Sequence, residues 1–129
     1  MELTIAQALE QAVAAHKQGN LQEAERLYRA ILEVQPSHHD ANHNLGVLKF
    51  STVNAAAALP FLKIALDANP NVDQYWLSYI DVLIHDQQIG DALEILKLAK
   101  QHGMQASKLV AFEEKLRLFR GSDARNLKP

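Results

Sequence analysis

Three histidines stand close together in the first half of the chain, at positions 38, 39 and 43. His39 and His43 are spaced i, i+4, so they would share one face of a helix and could in principle both ligate a metal ion. No acidic or thiolate residue with ligand spacing accompanies them, and Asp40 should point elsewhere around the helix. We therefore interpret these residues as a solvated helix start and expect neither a metal nor a cofactor.

The rest of the sequence carries no recognisable catalytic arrangement. It has no cysteine, which excludes a disulfide framework and a thiol nucleophile. It contains no glycine-rich phosphate loop, no Gly-x-Ser-x-Gly elbow and no dinucleotide-binding fingerprint. Glu113 and Glu114 are adjacent, so they do not form the spaced pair of carboxylates that acid–base catalysis requires. We expect that the chain is not an enzyme.

Composition and charge narrow the classes of partner. The 129 residues are 48% apolar and carry a net charge of −2, whereas phosphate binding normally needs a basic excess. No stretch approaches about 18 consecutive apolar residues, the length that would indicate a membrane span. The first ten residues lack a basic segment followed by an apolar run, which is the mark of a secretory signal. We expect a cytoplasmic location, no nucleic-acid partner and no membrane span.

A repeat with a period of 34 residues runs through the chain. Ala24, Ala58 and Ala92 are spaced by that period, and a large apolar residue follows each alanine by four positions. Pro36 and Pro70 keep the same register. A small residue lets two helices approach closely, and proline ends the second helix because it has no N–H to donate. This pattern predicts stacked pairs of antiparallel helices, an architecture that favours binding over catalysis.

Apolar spacing and turn residues predict seven helices. They span about 4–18, 22–34, 40–51, 55–68, 73–85, 91–101 and 107–119. Asn54 is a plausible N-cap for the fourth helix, and Pro60 should bend that helix or cost it a hydrogen bond. The seventh helix has an apolar stripe ending at Phe119 and a polar outer face, so it would cover the open core of the last repeat.

These residues resemble the tetratricopeptide repeat family over nearly the whole chain. Its pattern asks for Trp, Leu-Gly, Tyr, Ala, Phe, Ala and Pro at set offsets. The matching positions are Gly19, Ala24, Tyr28 and Pro36, then Leu45, Gly46, Ala58, Leu62, Ala65 and Pro70, then Trp76, Tyr79, Ala92, Leu96 and Ala99. The resemblance implies an all-α solenoid of three helix-turn-helix repeats at about 5–38, 39–72 and 73–106, with a capping helix at about 107–119. Residues 1–120 would form one domain, followed by a flexible tail or linker at 121–129.

The resemblance also implies a binding surface, because the first helix of each pair lines the concave face in this family. Transferring those positions gives the predicted groove residues: Val13, Lys17, His43, Asn44, Val47, Phe50, Gln74, Leu77, Ser78, Asp81 and Ile84. An extended peptide or an amphipathic helix would suit them, with apolar anchors on the floor and its backbone bonded to Asn44. The expected function is a scaffold or adaptor that binds a protein or peptide. Alternatively, several of the apolar side chains serve only inter-helix packing.

Two other functions stay open. The sequence of the first two repeats, including Asn44 within Ala-Asn-His-Asn-Leu-Gly, is similar to that of leading segments of bacterial transferase-linked proteins of the family. The chain would then be the N-terminal substrate-recognition segment of a larger glycosyl-, sulfo- or methyltransferase. The first helix, by contrast, is rich in alanine and matches the family pattern poorly. It could be an open end that pairs with another copy, which predicts a self-assembling scaffold, a homo-oligomer through the first helix.

Overall fold

The computed structural model describes residues 2–126, with side chains described to Phe119. Seven helices and no strand occur in this range: α1 (Ile5–Lys17), α2 (Leu21–Val34), α3 (His39–Thr52), α4 (Ala55–Ala68), α5 (Asp73–His85), α6 (Ile89–Gln101) and α7 (Ala106–Asn126). The prediction of an all-α solenoid built from helix–turn–helix pairs is confirmed. None of the helices in residues 2–126 combines the length and the apolar character that crossing a bilayer requires.

Polar side chains begin three of the helices. Thr4 forms a capping box with Gln7, in which each side chain bonds the backbone N–H of the other at 3.0 Å. Asn54 caps α4 as predicted, because its Oδ1 accepts from the N–H of Ala57 at 2.8 Å. His38 Nδ1 accepts from the third residue of α3 in the same way. These caps satisfy backbone donors that have no partner within the helix.

The second residue after α1, after α5 and after α6 has a left-handed backbone conformation. Gly19 has φ 80°, Gly103 has φ 104° and Gln87 has φ 60°. At each of the three ends, the amide of this residue and the amide that follows it donate back to carbonyls of the last turn. This is the Schellman arrangement, in which glycine is usual because a Cβ is disfavoured at positive φ. Gln87 adopts the same conformation with a side chain, which costs stability.

The chain divides into two compact units, Met1–Tyr79 and Ile80–Pro129, and the division falls inside α5. Small side chains separate the large ones in the core of the first unit. One cluster of its buried residues comprises Ala12, Ala15, Ala24, Leu27, Tyr28, Ile31, Ala41, Leu45 and Leu48. Alanine lets helix axes approach closely, and the leucine, isoleucine and tyrosine side chains fill the space beside it. The alanine period in the sequence therefore records close helix packing.

Helices α3 and α4 approach closely at Gly46. A Cβ placed on Gly46 would lie 2.7 Å from Leu62 Cδ2, 2.8 Å from Leu62 Cγ and 3.3 Å from the carbonyl oxygen of Ala58. Leu62 is 1% exposed, so its side chain is enclosed by the protein. The Leu-Gly pair of the repeat pattern is thus explained by the close approach of two helices.

One hydrogen bond recurs with the period of the repeat. Asn42, buried at the start of α3, donates from Nδ2 to the carbonyl oxygen of Pro36 at 3.0 Å. Trp76 lies 34 residues later and donates from Nε1 to the carbonyl oxygen of Pro70 at 2.8 Å. Each bond ties a proline turn to the helix that follows it. An amide and an indole therefore perform the same task in successive repeats.

The second unit has its own buried side chains, on the later part of α5 and on α6, α7 and the turn between them. They are Ile80, Val82, Leu83, Ala92, Leu96, Ala99, Met104, Leu109 and Leu116. An ion pair of 3.2 Å joins Lys100 on α6 to Glu113 on α7. Phe119, the last residue of the predicted apolar stripe, is 38% exposed, so the buried part of the stripe stops short of it.

The last helix is longer than predicted. The sequence indicates an end near residue 119, whereas α7 continues to Asn126. Gly121 lies within the helix, where glycine costs about 1 kcal/mol relative to alanine but need not stop the hydrogen-bonding pattern. The predicted flexible tail, residues 121–129, thus begins inside α7, and residues 127–129 lie outside the described part of the chain.

Candidate functional site

A cavity of about 240 Å³ opens in the first unit between α1, α2 and α3. Val13, His16 and Lys17 line it from the end of α1, Tyr28 from α2 and Asn44 from α3. We call it the α1 cavity. Lys17 is the last residue of α1 and is exposed. The structure thus brings together three of the predicted groove residues, on helices that are far apart in sequence.

Tyr28 forms a wall of the α1 cavity and fixes the state of His16. Its hydroxyl oxygen lies 3.1 Å from His16 Nδ1, and the two rings meet edge to face. Burial raises the pKa of Tyr28 to about 12, so the hydroxyl keeps its proton at neutral pH. A buried hydroxyl needs an acceptor, and Nδ1 is the acceptor that the structure provides. The proton of the neutral His16 ring therefore resides on Nε2.

Asn44 is the last of four hydrogen-bonded side chains in line, which we call the polar row. Gln74 Nε2 donates to Ser78 Oγ at 3.0 Å, and Ser78 Oγ lies 2.8 Å from His43 Nε2. His43 Nδ1 lies 3.3 Å from Asn44 Oδ1. A carbonyl oxygen can only accept, so Nδ1 carries the ring proton and Nε2 accepts from the Ser78 hydroxyl. Burial lowers the pKa of His43, which favours this neutral form.

The consequence for Asn44 is a fixed amide orientation. Its oxygen is taken by His43, and its nitrogen has no acceptor among the described residues. The N–H groups of Asn44 therefore remain available to a ligand at the α1 cavity.

A second polar contact between α3 and α5 lies beside the polar row. The Tyr75 hydroxyl donates to Asp40 and accepts from His39 Nδ1, which is 2.7 Å away. Burial, and then the Asp40 carboxylate, raises the pKa of Tyr75 above its usual range. The ring centroids of His39 and His43 lie 5.7 and 4.8 Å from that of Tyr75. These contacts hold the first half of α5 against α3.

The interpretation of His38, His39 and His43 as a solvated helix start is wrong. His38 caps α3, His39 bonds Tyr75, and His43 bonds Ser78 in a half-buried position. The two partners on α5 lie 36 and 35 residues further along the chain, so no local pattern could indicate them. Within residues 2–126, no group of three His, Cys, Asp or Glu side chains is placed to hold a metal ion.

The remaining predicted groove residues lie outside both the α1 cavity and the polar row. They are Val47, Phe50, Leu77, Asp81 and Ile84. The first three are partly exposed in the first unit, with Val47 at 37%. Asp81 and Ile84 belong to the second unit, where the Asp81 carboxylate lies 3.9 Å from Lys115 Nζ. Sequence reasoning did not assign Tyr28 to the site, because its position in the repeat pattern indicates packing alone.

Comparison with known proteins bears on the fold and the family. A family model described as "Tetratricopeptide repeat" matches residues 9–73, which is half of the chain. No curated protein matches this chain. A solved structure of PilF from Pseudomonas aeruginosa is similar, with a TM-score of 0.74 and 19% sequence identity. The similar region covers 93% of this chain and 55% of that one, so this chain spans about half the length of that protein. At this level of identity the likeness concerns the fold.

Proposed function

The chain belongs to the tetratricopeptide repeat family, and from that premise we propose that it is a protein–protein interaction scaffold. It binds an extended peptide segment of a partner along α1, α3 and the first half of α5. The observation that carries this proposal is the orientation of Asn44. Its amide oxygen is bonded to His43, its N–H groups have no acceptor among the described residues, and Asn44 lines a cavity where a backbone carbonyl of the partner can accept from it.

Apolar side chains near Asn44 supply the rest of the binding energy. Val47 and Phe50 follow it on α3 and keep part of their surface exposed, as does Leu77 on α5. Burying an apolar side chain against such a surface contributes roughly 1.5–3 kcal/mol. Two or three such contacts, together with a few backbone hydrogen bonds, correspond to an affinity of about micromolar. This is the range of a reversible adaptor.

The proposal is for binding without chemistry. Of the two histidines at this surface, His16 is bonded to the Tyr28 hydroxyl and His43 is bonded to the Ser78 hydroxyl. Ser78 already accepts from Gln74 and donates to His43, so its oxygen is occupied on both sides. These bonds favour a rigid recognition surface.

The test is selection of a phage-displayed dodecapeptide library against the full chain, followed by affinity measurement on groove variants. We expect peptides to be enriched, and Phe50→Asp and Asn44→Asp each to weaken them by about tenfold or more while helicity is unchanged. Ile64→Asp is the matched control, since Ile64 is an exposed apolar residue on α4 and is 40% exposed. Failure to enrich any peptide, or equal binding by all three variants, would move the site off this surface.

Self-assembly is a second candidate function, favoured by one observation. A cavity of about 430 Å³ opens along α1 and α2, lined by apolar residues that include Leu3, Ile5, Leu27 and Val34. Val34 is 69% exposed at this place. Pairing of two copies here would bury the face of the first helix. Sedimentation velocity over an approximately hundredfold concentration range would show a rising mass, and Val34→Glu would abolish the rise. A constant monomer mass contradicts it.

A further inference from the structure

We propose that the α1 cavity selects a partner segment in which one aspartate or glutamate side chain lies next to an apolar side chain. The inference rests on the proposed peptide-binding function and adds the chemistry of the partner. It follows from the hydrogen-bonding groups that the cavity leaves open.

Those groups are all donors. Asn44 presents its amide nitrogen because His43 occupies its oxygen. His16 presents Nε2–H because the buried Tyr28 hydroxyl donates to its Nδ1. Lys17 presents its ammonium group, which has no acidic partner among the described residues. A ligand that fills this cavity must therefore bring acceptors, and a donor-rich or cationic side chain would leave three N–H groups unpaired.

Lys17 also differs from every other cation of the first unit. The remaining four in the described part of that unit are each held by a carboxylate: Arg26 by Glu23, Arg29 and Lys49 by Glu25, and Lys63 by Asp67. Among the lysines and arginines in the described part of this unit, Lys17 is thus the one without a carboxylate partner. A carboxylate from a partner would give Lys17 the kind of ion pair that the other four cations already have. We therefore infer that the ligand carries a negative charge and is not merely a neutral acceptor.

The cavity also determines how many acidic groups the ligand carries and what lies beside them. Gln74 and Ser78, the neighbouring polar residues on α5, are uncharged and bonded to each other. One full positive charge matches one carboxylate, whereas a run of acids would be left without counter-charges. The side chain of Val13 and the ring of Tyr28 form the apolar part of the cavity wall. An apolar side chain packed there places a neighbouring carboxylate at Lys17, and we assign that carboxylate to a side chain within the peptide.

The experiment uses peptides from the library described above, in which the displayed peptide is fused at its C-terminus and so offers no terminal carboxylate. Each enriched peptide is synthesised with blocked ends, together with a partner peptide in which Glu or Asp is replaced by Gln or Asn. Their affinities are measured by fluorescence anisotropy for the wild-type chain, for Lys17→Met and for Lys97→Met. Lys97 is the matched control, because it is an exposed lysine on α6 with no acidic partner among the described residues.

We expect enriched peptides to share one acidic residue beside an apolar one. Lys17→Met and the acid-to-amide replacement should each weaken binding by about three- to fivefold, and the two losses should not add. Lys97→Met should leave the affinity unchanged. The competing role of Lys17 is to stabilise the C-terminal end of α1. That role alone would lower the melting temperature of Lys17→Met without altering which peptides bind, so it is separated by the affinity measurement.

Three results would overturn the inference. Peptides that depend on Phe50 and Asn44 but show no acidic preference would refute it and leave the proposed function standing. The same holds if losses from Lys17→Met and from the amide peptide are independent of each other. If selection yields no peptide that depends on the groove, the proposed function fails, and the inference that rests on it fails too.

Discussion

Replacing Gly46 by alanine tests whether the close approach of α3 and α4 holds this fold together. The new Cβ would lie 2.7 and 2.8 Å from two atoms of Leu62, distances that side chains do not tolerate. Leu62 is buried, so either its rotamer or the helix pair must shift. Overpacking of this kind costs about 1–3 kcal/mol. Alanine gains about 1 kcal/mol over glycine in helix propensity. The net loss in the free energy of unfolding should therefore be about 1 kcal/mol.

Gly90→Ala is the matched control, because a Cβ at Gly90 would meet nothing within 4 Å and φ there is not positive. It should gain about 0.5 kcal/mol from propensity alone. Urea unfolding followed by far-UV circular dichroism measures both changes. If the free energy of unfolding falls by about 2 kcal/mol per molar urea, Gly46→Ala should lower the urea midpoint by about 0.5 M. Gly90→Ala should raise it slightly.

A double-mutant cycle with Leu62→Ala identifies the cause. Leu62→Ala removes the two atoms nearest to the new Cβ and leaves the Ala58 carbonyl oxygen at 3.3 Å, so in that background Gly46→Ala should become stabilising, by at most about 1 kcal/mol. Leu62→Ala itself costs about 2–5 kcal/mol, and the cycle is best measured at about 15 °C, where stability is usually greatest. If Gly46→Ala destabilises the protein equally in both backgrounds, the steric argument is refuted.

Three further predictions concern other local features. Gln87→Gly should raise the free energy of unfolding by about 1 kcal/mol, because φ there is positive, whereas Gly19→Gln should lower it; equal effects in urea unfolding would contradict this. Pro60→Ala should stabilise α4 by about 1 kcal/mol or more by restoring a hydrogen-bond donor, and an unchanged midpoint would show that the helix has adapted. Burial raises the pKa of Tyr28 to about 12. The free energy that protonated Tyr28 contributes to the folded state is fully present below about pH 10 and is lost as pH rises towards 12, because Tyr28 ionises first in the unfolded state. Thermal melts from pH 9 to 12 should show a shallower decline in Tyr28→Phe.

The helices were predictable because local chemistry decides their ends. Asn54 begins α4 and Gly19 ends α1, as their residue types indicate. The first five helices have the predicted bounds to within a residue at each end. The extra length of α7 was not predictable, because Gly121 weakens a helix without fixing where it stops.

The hydrogen bonds that tie each proline turn to the following helix were only partly predictable from the sequence. Trp76 is a recognisable position of the family pattern, but Asn42 occupies the equivalent place with no resemblance in side chain. The structure shows that both donate to a proline carbonyl. What the position requires is a buried donor that reaches six residues back. Sequence patterns record residue types, so they miss a requirement that two chemically different side chains can meet.

Sequence reasoning proposed a surface but not its chemistry. Three of the predicted groove residues, Val13, Lys17 and Asn44, line one cavity, and their role in binding stays a prediction. The protonation and orientation of its polar groups depend on partners that lie far away in sequence, namely Tyr28 for His16 and Ser78 for His43. These contacts occupy the acceptor atoms of His16 and Asn44 at the α1 cavity, His16 Nδ1 and Asn44 Oδ1, and leave their N–H donors.

The polar row gives the binding surface a dependence on the packing of adjacent repeats. Asn44 and His43 belong to α3, whereas Ser78 and Gln74 belong to α5. The orientation of the Asn44 amide is thus set by side chains of the next repeat, because without Ser78 the His43 ring has no donor at Nε2 and no reason to keep its proton on Nδ1. An apolar joint between α3 and α5 would hold the helices together equally well but would leave the amide free to flip. In the proposed function, the polar contacts between α3 and α5 would therefore contribute selectivity for acceptors, at the cost of burying groups that must all be satisfied.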